Sequence, residues 1–221
     1  MLPGIAVQLG LITHANLRSV DFVGRAASGT STITIPTWVK PGDILIGFDR
    51  AQNSSGIPSE VWWDDYGFAW QTWRTGLNRR IHTYKKIAKH DDPGKVVVGL
   101  NGTAANNKLL WVFRANKPIY DTIHLSIKQS SITDGAPGNL SIAVGDSPSF
   151  VWAIYSTGAS GAGNITRGFS PPKDGENSNS NGSMIIAWKF VASNPPSSFS
   201  ISMNAAGNAN HLVGGAFKLV L

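Results

Sequence analysis

A short stretch with seven basic side chains is the first candidate for chemistry. The seven basic residues between 74 and 95 are accompanied by only two acidic ones, Asp91 and Asp92. The net charge of this stretch is therefore +5, which is most of the chain's net charge of +6. Such a cluster can dock onto an acidic protein surface or a polyanion, or it can be the solvated face of a strand. The candidate docking residues are Arg74, Arg79, Arg80, Lys85, Lys86 and Lys89, with Lys95 beside them.

An aromatic stretch just before the basic one offers a second kind of contact. It consists of Trp62, Trp63, Asp64, Asp65 and Tyr66, followed by Phe68, Trp70 and Trp73. Indole rings flanked by carboxylates suit sugar rings, which stack on the aromatic faces while their hydroxyls bind the acids. The same residues could instead belong to the core or to a protein interface. The pattern leaves these alternatives open.

Catalytic and metal-binding patterns are weak in this chain. The best carboxylate group is Glu60, Asp64 and Asp65, but adjacent residues of a strand point to opposite faces, which argues against pairing Asp64 with Asp65. The five histidines are scattered, and none forms a metal-ligand pair at helical or strand spacing. We therefore expect no enzymatic activity, no cofactor and no metal.

Nucleic acid and membranes are not expected partners either. Binding to single-stranded nucleic acid would place aromatic side chains among the basic ones, and only Tyr84 lies inside the basic stretch. No run approaches the 18 or so apolar residues of a membrane span. Residues 1–19 lack the basic start of a secretory signal, and we interpret them as an N-terminal extension or arm.

The elements that must position these side chains are predicted to be strands. Gly and Pro are frequent, only 14% of residues are charged against a usual value of about 25%, and no cysteine is present. Short β-branched and aromatic segments alternate with Gly, Pro and Asn, and no window has a helical period. Strands are predicted near 20–25, 31–36, 43–49, 69–74, 79–89, 95–101, 108–115, 120–128, 139–144, 149–156, 184–192, 198–203 and 211–220. Residues 157–183 are predicted to form a long loop.

An internal repeat indicates how these strands are organised. Tyr84-Lys85-Lys86-Ile87-Ala88 returns as Trp188-Lys189-Phe190-Val191-Ala192 at an offset of 104 residues, and two flanking landmarks return at 103. Each half alone would expose an apolar sheet face. We therefore expect an all-β, two-sheet sandwich of jelly-roll type, a single domain over 20–221 with similar halves at about 20–118 and 119–221. Two separate domains are the alternative.

Several segments of the first half resemble β-sandwich virion proteins of tailed bacteriophages. The turn Pro36-Thr37-Trp38-Val39-Lys40-Pro41-Gly42-Asp43 leads into an apolar strand, Tyr84–Ala88 is closed by Asp91-Asp92-Pro93-Gly94, and Val112-Phe113-Arg114-Ala115 ends the unit. A Gly-Trp-Thr segment that the group usually carries is replaced by Val61–Asp65. The resemblance implies a jelly-roll-like structural protein of the phage head or tail, with no residue-level function to transfer.

These observations favour a non-enzymatic virion protein, in first place a capsid decoration (cement) protein that stabilises the outer head surface. The basic stretch and the apolar arm would dock on the major capsid protein or other virion proteins, with self-association and a surface glycan as further partners. The alternative is a tail-associated receptor-binding or carbohydrate-binding module that uses residues 62–66. A sandwich hydrolase acting on cell-wall polysaccharide is a third hypothesis, without a convergent carboxylate pair to support it.

Overall fold

Strands dominate the part of the chain that the computed structural model describes. That part comprises residues 17–30, 32–52, 67–74, 77–98, 104–132, 138–156, 164–166, 176–179, 182–204 and 210–221. The strands are β1 Val20–Ser28, β2 Thr32–Thr34, β3 Ile44–Gln52, β4 Gly67–Arg74, β5 Leu77–Ile87, β6 Val96–Val98, β7 Ala104–Ala115, β8 Asp121–Ile132, β9 Gly138–Ala143, β10 Ser149–Ser156, β11 Asn164–Thr166, β12 Glu176–Asn179, β13 Gly182–Val191, β14 Ser198–Asn204 and β15 Asn210–Val220. The prediction of an all-β fold is confirmed.

The strand order repeats between the two halves of the chain. The first half forms a large sheet, β1-β7-β3-β5-β4, and a small sheet, β2-β6. The second half forms a large sheet, β8-β15-β10-β13-β12, and a small sheet, β9-β14-β11. In the first half β1 pairs with β7, β2 with β6 and β3 with β5. In the second half β8 pairs with β15, β9 with β14 and β10 with β13, and all six pairs are antiparallel. Nested pairing of this kind is the winding of a jelly roll.

The sandwich has four layers, which is more than the sequence suggested. A central cluster joins the two large sheets face to face, through residues such as Ile46 and Phe113 of the first half and Phe150 and Phe217 of the second. In each half, one further cluster lies between the large sheet and the small sheet of that half. The all-β sandwich architecture is therefore confirmed, and a single domain over 20–221 stays a prediction. Within the described residues the first half has the seven strands predicted for it, whereas the second half has eight rather than six.

Alternation along the strands explains the layers. In β3, Ile44, Ile46 and Phe48 point to the central cluster, while Leu45 points to the outer one. Successive side chains of a strand face opposite sides of the sheet, so a sheet covered on both faces needs apolar residues at every position. The continuous run Ile44-Leu45-Ile46 satisfies this requirement, and all three are fully buried.

Aromatic rings fasten the two halves together. The Phe113 ring centroid lies 4.9 Å from that of Phe150 and 5.0 Å from that of Trp188. Phe22 adds a contact to Trp188 at 5.5 Å between centroids. Tilted and edge-on pairs at these distances contribute about 0.5–1.5 kcal/mol each beyond the area they bury. Since the described strand pairings all stay within one half, side-chain packing of this kind holds the halves to each other.

The register of the internal repeat differs by one residue from the sequence alignment. The offset of 104 matches Lys85 with Lys189, but Lys85 lies over Phe217 at the centre, whereas Lys189 lies over Phe199 of the second small sheet. An offset of 103 matches Lys85 with Trp188 and places both at the centre. A slip of one residue turns every side chain to the other face, so the structural offset for this strand is 103.

Candidate functional site

The sequence-predicted docking residues fall into three groups. Arg74 ends β4, and Arg79 and Arg80 lie on β5, where the register places them opposite Thr72 and Gln71 of β4. Lys89 follows β5 and is exposed. Lys85 and Lys86 are both buried, so the expectation that they belong to an exposed basic face is wrong. Docking by Arg74, Arg79, Arg80 and Lys89 stays a prediction, and the aromatic group Trp62, Trp63, Asp64, Asp65 and Tyr66 lies outside the described residues.

The two buried lysines are used inside the protein. Lys85 Nζ donates a hydrogen bond to Thr122 Oγ1 of the second half and lies 5.3 Å from the centre of the Phe217 ring. Lys86 Nζ lies 3.2 Å from Asp92 Oδ1 in a buried ion pair. The physical reason is the four-layer arrangement, because β5 belongs to a large sheet that is covered on both faces. Sequence alone counted these side chains as solvated charges.

Asp43, in the Pro-Gly-Asp turn, anchors the beginning of β3. Arg114 donates from Nε to Asp43 Oδ1 and from Nη2 to Asp43 Oδ2, both at 2.7 Å, and the Lys40 backbone N–H donates to Oδ2 at 2.8 Å. The hydrogen bonds that Arg114 donates to the Asp43 carboxylate raise the pKa of Arg114. A bidentate guanidinium–carboxylate pair is among the stronger polar contacts in proteins. The motif therefore builds a turn.

Asp92 has the same function in the second motif. Its Oδ2 accepts the Lys89 backbone N–H at 2.7 Å, and its Oδ1 accepts from Lys86 and, at 3.4 Å, from Lys95 Nζ. The neighbouring Asp91 is exposed and accepts from Lys95 Nζ at 2.6 Å, which lowers the pKa of Asp91 and raises that of Lys95. Both motifs thus build turns in this chain.

One end of the sandwich combines surface clefts with unpaired charge. We call it the crossover end, because the chain passes there from β7 to β8 through residues 116–120. A cleft of about 190 Å³ and one of about 440 Å³ share Pro41, Gly42 and Pro118. A third cleft, of about 930 Å³, adjoins them at Val220, whose carbonyl accepts the Tyr120 backbone N–H at 2.9 Å.

The residues that line these three clefts are strongly basic. Asp43 is the acidic residue among them, and it is buried and paired with Arg114. The basic ones are Arg18, Lys40, Lys89, Arg114, Lys117 and Lys218. Arg18, Lys40, Lys89 and Lys117 are exposed. The cleft lining that the structure describes is therefore mostly basic, and basic surfaces attract acidic partners.

The same end exposes large apolar side chains. Tyr120 is 74% exposed, Ile123 is 52% exposed and Leu221 is 38% exposed. Ile123 and Leu221 line the 930 Å³ cleft, and Tyr120 lines the 440 Å³ cleft. Apolar and aromatic residues at the centre of a polar rim are typical of protein–protein interfaces.

Sequence reasoning identified only one cation of this surface, Lys89. Arg18, Lys40, Lys117 and Lys218 are separated by up to 200 positions and belong to different strand ends. Each lies at or just beyond a strand end on the same side of the sandwich, before β1 and β3, between β7 and β8, and near the end of β15. Strand topology was needed to bring them together, since no local spacing connects them.

No protein-family model, curated protein or solved structure matches this chain. Within the described residues, no helix is of a length and hydropathy that would let it cross a membrane. The same residues contain no group of three or more His, Asp or Glu side chains that could hold a metal ion.

Proposed function

We propose that this chain is a non-enzymatic structural protein of a tailed-phage virion, a decoration protein that docks on the capsid through the crossover end. The observation that carries the proposal is the combination of basic clefts with exposed Tyr120, Ile123 and Leu221 on one end of the molecule. The first-half motifs that resemble virion proteins support it as well, because their acids and cations are engaged in turns.

An acidic protein surface is the partner that fits this combination. Exposed cations steer an acidic partner into the encounter and fix its orientation, while most of the affinity comes from apolar side chains that become buried. A bare polyanion would use the charges but would leave Tyr120 and Ile123 exposed to water. Docking on assembled capsid rather than on its unfolded subunits would stabilise the shell by mass action.

The four-layer sandwich suits such a role. Three separate clusters of buried side chains fix the large sheets on both faces, so the crossover end rests on a scaffold with little freedom to rearrange. A rigid docking surface loses little conformational entropy on binding.

Charge reversal at two places tests the proposal. The triple variant Lys40→Glu, Lys89→Glu, Lys117→Glu changes exposed residues of the crossover end. We expect it to weaken co-sedimentation with capsids of the encoding phage by about thirty-fold, because each reversal replaces an attraction of up to about 1 kcal/mol by repulsion.

The matched control is Arg79→Glu with Arg80→Glu. Arg80 is seven residues from Ile87 of the 440 Å³ cleft along β5, about 23 Å at the rise of a strand. We expect this pair to bind nearly as well as the unchanged protein. Loss of binding in the control alone would assign docking to the basic stretch 74–95, and full binding by both variants would refute docking through either surface.

A glycan-binding tail module is the second candidate, favoured by Trp38. Its indole is 42% exposed and packs against the backbone of β1 at Gly24, where an added Cβ would lie 3.0 Å from Trp38 Cη2. A supported, exposed indole is a surface on which a sugar ring can stack. A glycan array with Trp38→Ala, Trp62→Ala and Trp63→Ala tests it, and hundreds of copies per virion would point to the head instead.

A further inference from the structure

The 930 Å³ cleft has a more defined chemistry than the rest of the crossover end. Leu17 and Leu219 are buried and form its floor, while Ile123 and Leu221 reach the surface. Ser147, Ala192 and Ser193 line it too, and their short side chains leave space. A volume of this size lies within the range that binding sites in proteins occupy, about 300–1,000 Å³.

Two cations stand beside this apolar floor. Arg18 is exposed and Lys218 is half-buried, and the lining residues that the structure describes include no aspartate or glutamate. Lys218 is the counterpart of Arg114 in the repeat, since both follow the phenylalanine of the last strand of their half. In the first half that cation holds Asp43, whereas Asp146, which the repeat matches to Asp43, is exposed. At the second copy of the turn, Ser147 and Lys218 line the 930 Å³ cleft.

We propose that this cleft binds an extended segment of a partner protein in which apolar side chains alternate with carboxylates. The apolar side chains would lie against Leu17, Leu219 and Ile123, and the carboxylates would pair with Arg18 and Lys218. The proposal rests on the proposed function for the identity of the partner, which is then an acidic strand or arm of a virion protein.

Charge decides between this occupant and a second copy of the chain. Each copy carries a net charge of +6, so two copies approaching through a basic cleft repel each other. A segment with carboxylates gains the opposite interaction and, by the same charges, excludes basic competitors. The apolar floor supplies the affinity, since exposed ion pairs alone contribute little.

Peptide binding measured by isothermal titration calorimetry tests the chemistry on the full-length protein. The probe is a blocked hexapeptide, Glu-Leu-Asp-Ile-Asp-Glu, compared with one in which Lys replaces the acids and one in which Ser replaces Leu and Ile. We expect saturable binding of the first alone. Saturable binding of the lysine peptide, equal binding of the serine peptide, or no binding of the acidic one would overturn the proposal.

Variants locate the site. Ser193→Trp fills the cleft from an exposed position, and Arg18→Glu with Lys218→Glu reverses its charge. We expect each of these variants to bind the acidic peptide about tenfold more weakly, or weaker still, than the unchanged protein does. The matched control is Ser141→Trp, at an exposed position of β9 outside the cleft lining, which should leave binding unchanged. Equal binding by Ser193→Trp would show that the peptide binds elsewhere and would overturn the proposal.

Capsid co-sedimentation of Ser193→Trp separates this proposal from the broader one. Loss of capsid binding supports both. If Ser193→Trp still bound capsids and the triple variant Lys40→Glu, Lys89→Glu, Lys117→Glu did not, the proposal for the cleft would be refuted. Docking through the rest of the crossover end would then be supported. Retained binding by both would overturn both proposals for the capsid.

Discussion

Asp43 should be one of the most sensitive single positions of the fold, and its replacement by alanine can be worked out from the structure. Its carboxylate is buried and accepts three hydrogen bonds, two from Arg114 and one from the Lys40 backbone. A hydrogen bond to a charged group contributes about 1.5–3 kcal/mol in a buried site. The Arg114 side chain is 33% exposed and can be rehydrated, so we discount its two bonds to about 1 kcal/mol each.

With about 1 kcal/mol for the Lys40 bond, Asp43→Ala should lower the free energy of unfolding by about 3 kcal/mol. For a chain of this length, that corresponds to a fall in Tm of about 6–12 °C. Urea unfolding followed by circular dichroism measures the first quantity, and a thermal scan measures the second. Asp146→Ala is the control in the second half, where the side chain is exposed, and should change stability by less than about 0.5 kcal/mol.

A double-mutant cycle makes the reasoning refutable. Arg114→Met should cost more than Asp43→Ala, because it leaves a buried carboxylate that water cannot reach. The double variant should then be more stable than the sum of the two losses implies, with a coupling of about 2 kcal/mol. Additive losses, or a loss below about 0.5 kcal/mol for Asp43→Ala, would show that the pair does not hold the turn.

Three further predictions concern the second motif and the central sheets. Asp92→Ala should destabilise by about 3 kcal/mol in urea unfolding, whereas Asp91→Ala should leave the urea midpoint nearly unchanged, because Asp92 is buried and Asp91 is exposed. The Asp91 carboxyl, followed by NMR, should titrate below its usual pKa and return towards it in Lys95→Ala; with a lowered folded pKa, this pair stabilises at neutral pH and is lost as pH falls through that pKa. Gly214→Ala should cost about 1–3 kcal/mol, since its Cβ would lie 2.6 Å from Ile142 Cδ1.

Strand existence was predictable where local pattern and tertiary environment agree. β10 runs over the predicted residues 149–156, and β15 begins one residue before the predicted start at 211. The predicted loop 157–183 nevertheless contains β11 and β12, so it was wrong there. These strands are built from Asn, Glu, Ser and Thr with a single Ile, so they lack the alternation by which strands are detected. Pairing with β14 and β13, a tertiary effect, forms them.

The burial of charged side chains was not predictable from the sequence. Three lysines are buried because other layers cover both faces of the large sheet: Lys85, Lys86 and Lys108. No local sequence pattern indicates how many layers the fold has. Lys108 illustrates the difficulty, because the register places Asp49 of the neighbouring strand directly opposite it. The sequence placed Lys85 and Lys86 on an exposed basic stretch, as a docking surface or a solvated strand face, whereas the structure buries them within the sandwich.

The contacts at the centre of the sandwich are reciprocal between the halves. Trp188 of the second half packs on Phe22 and Phe113 of the first, and its counterpart Lys85 of the first half packs on Phe217 of the second. Phe217 occupies in β15 the position that Phe113 occupies in β7, each paired with the third strand of its half. Reciprocal contacts of this kind are those of an isologous interface between two like subunits.

Lys85 breaks this symmetry in a way that specifies which halves pair. It donates to Thr122 near the start of β8, and the residue at the matching place near the start of β1 is Val20. If two first halves paired, each Lys85 would lose the Thr122 hydroxyl and face Val20, whose side chain accepts no hydrogen bond. If two second halves paired, Thr122 would face the Trp188 ring instead of the Lys85 ammonium group. The Lys85–Thr122 hydrogen bond therefore favours the pairing of a first half with a second half over the pairing of two like halves.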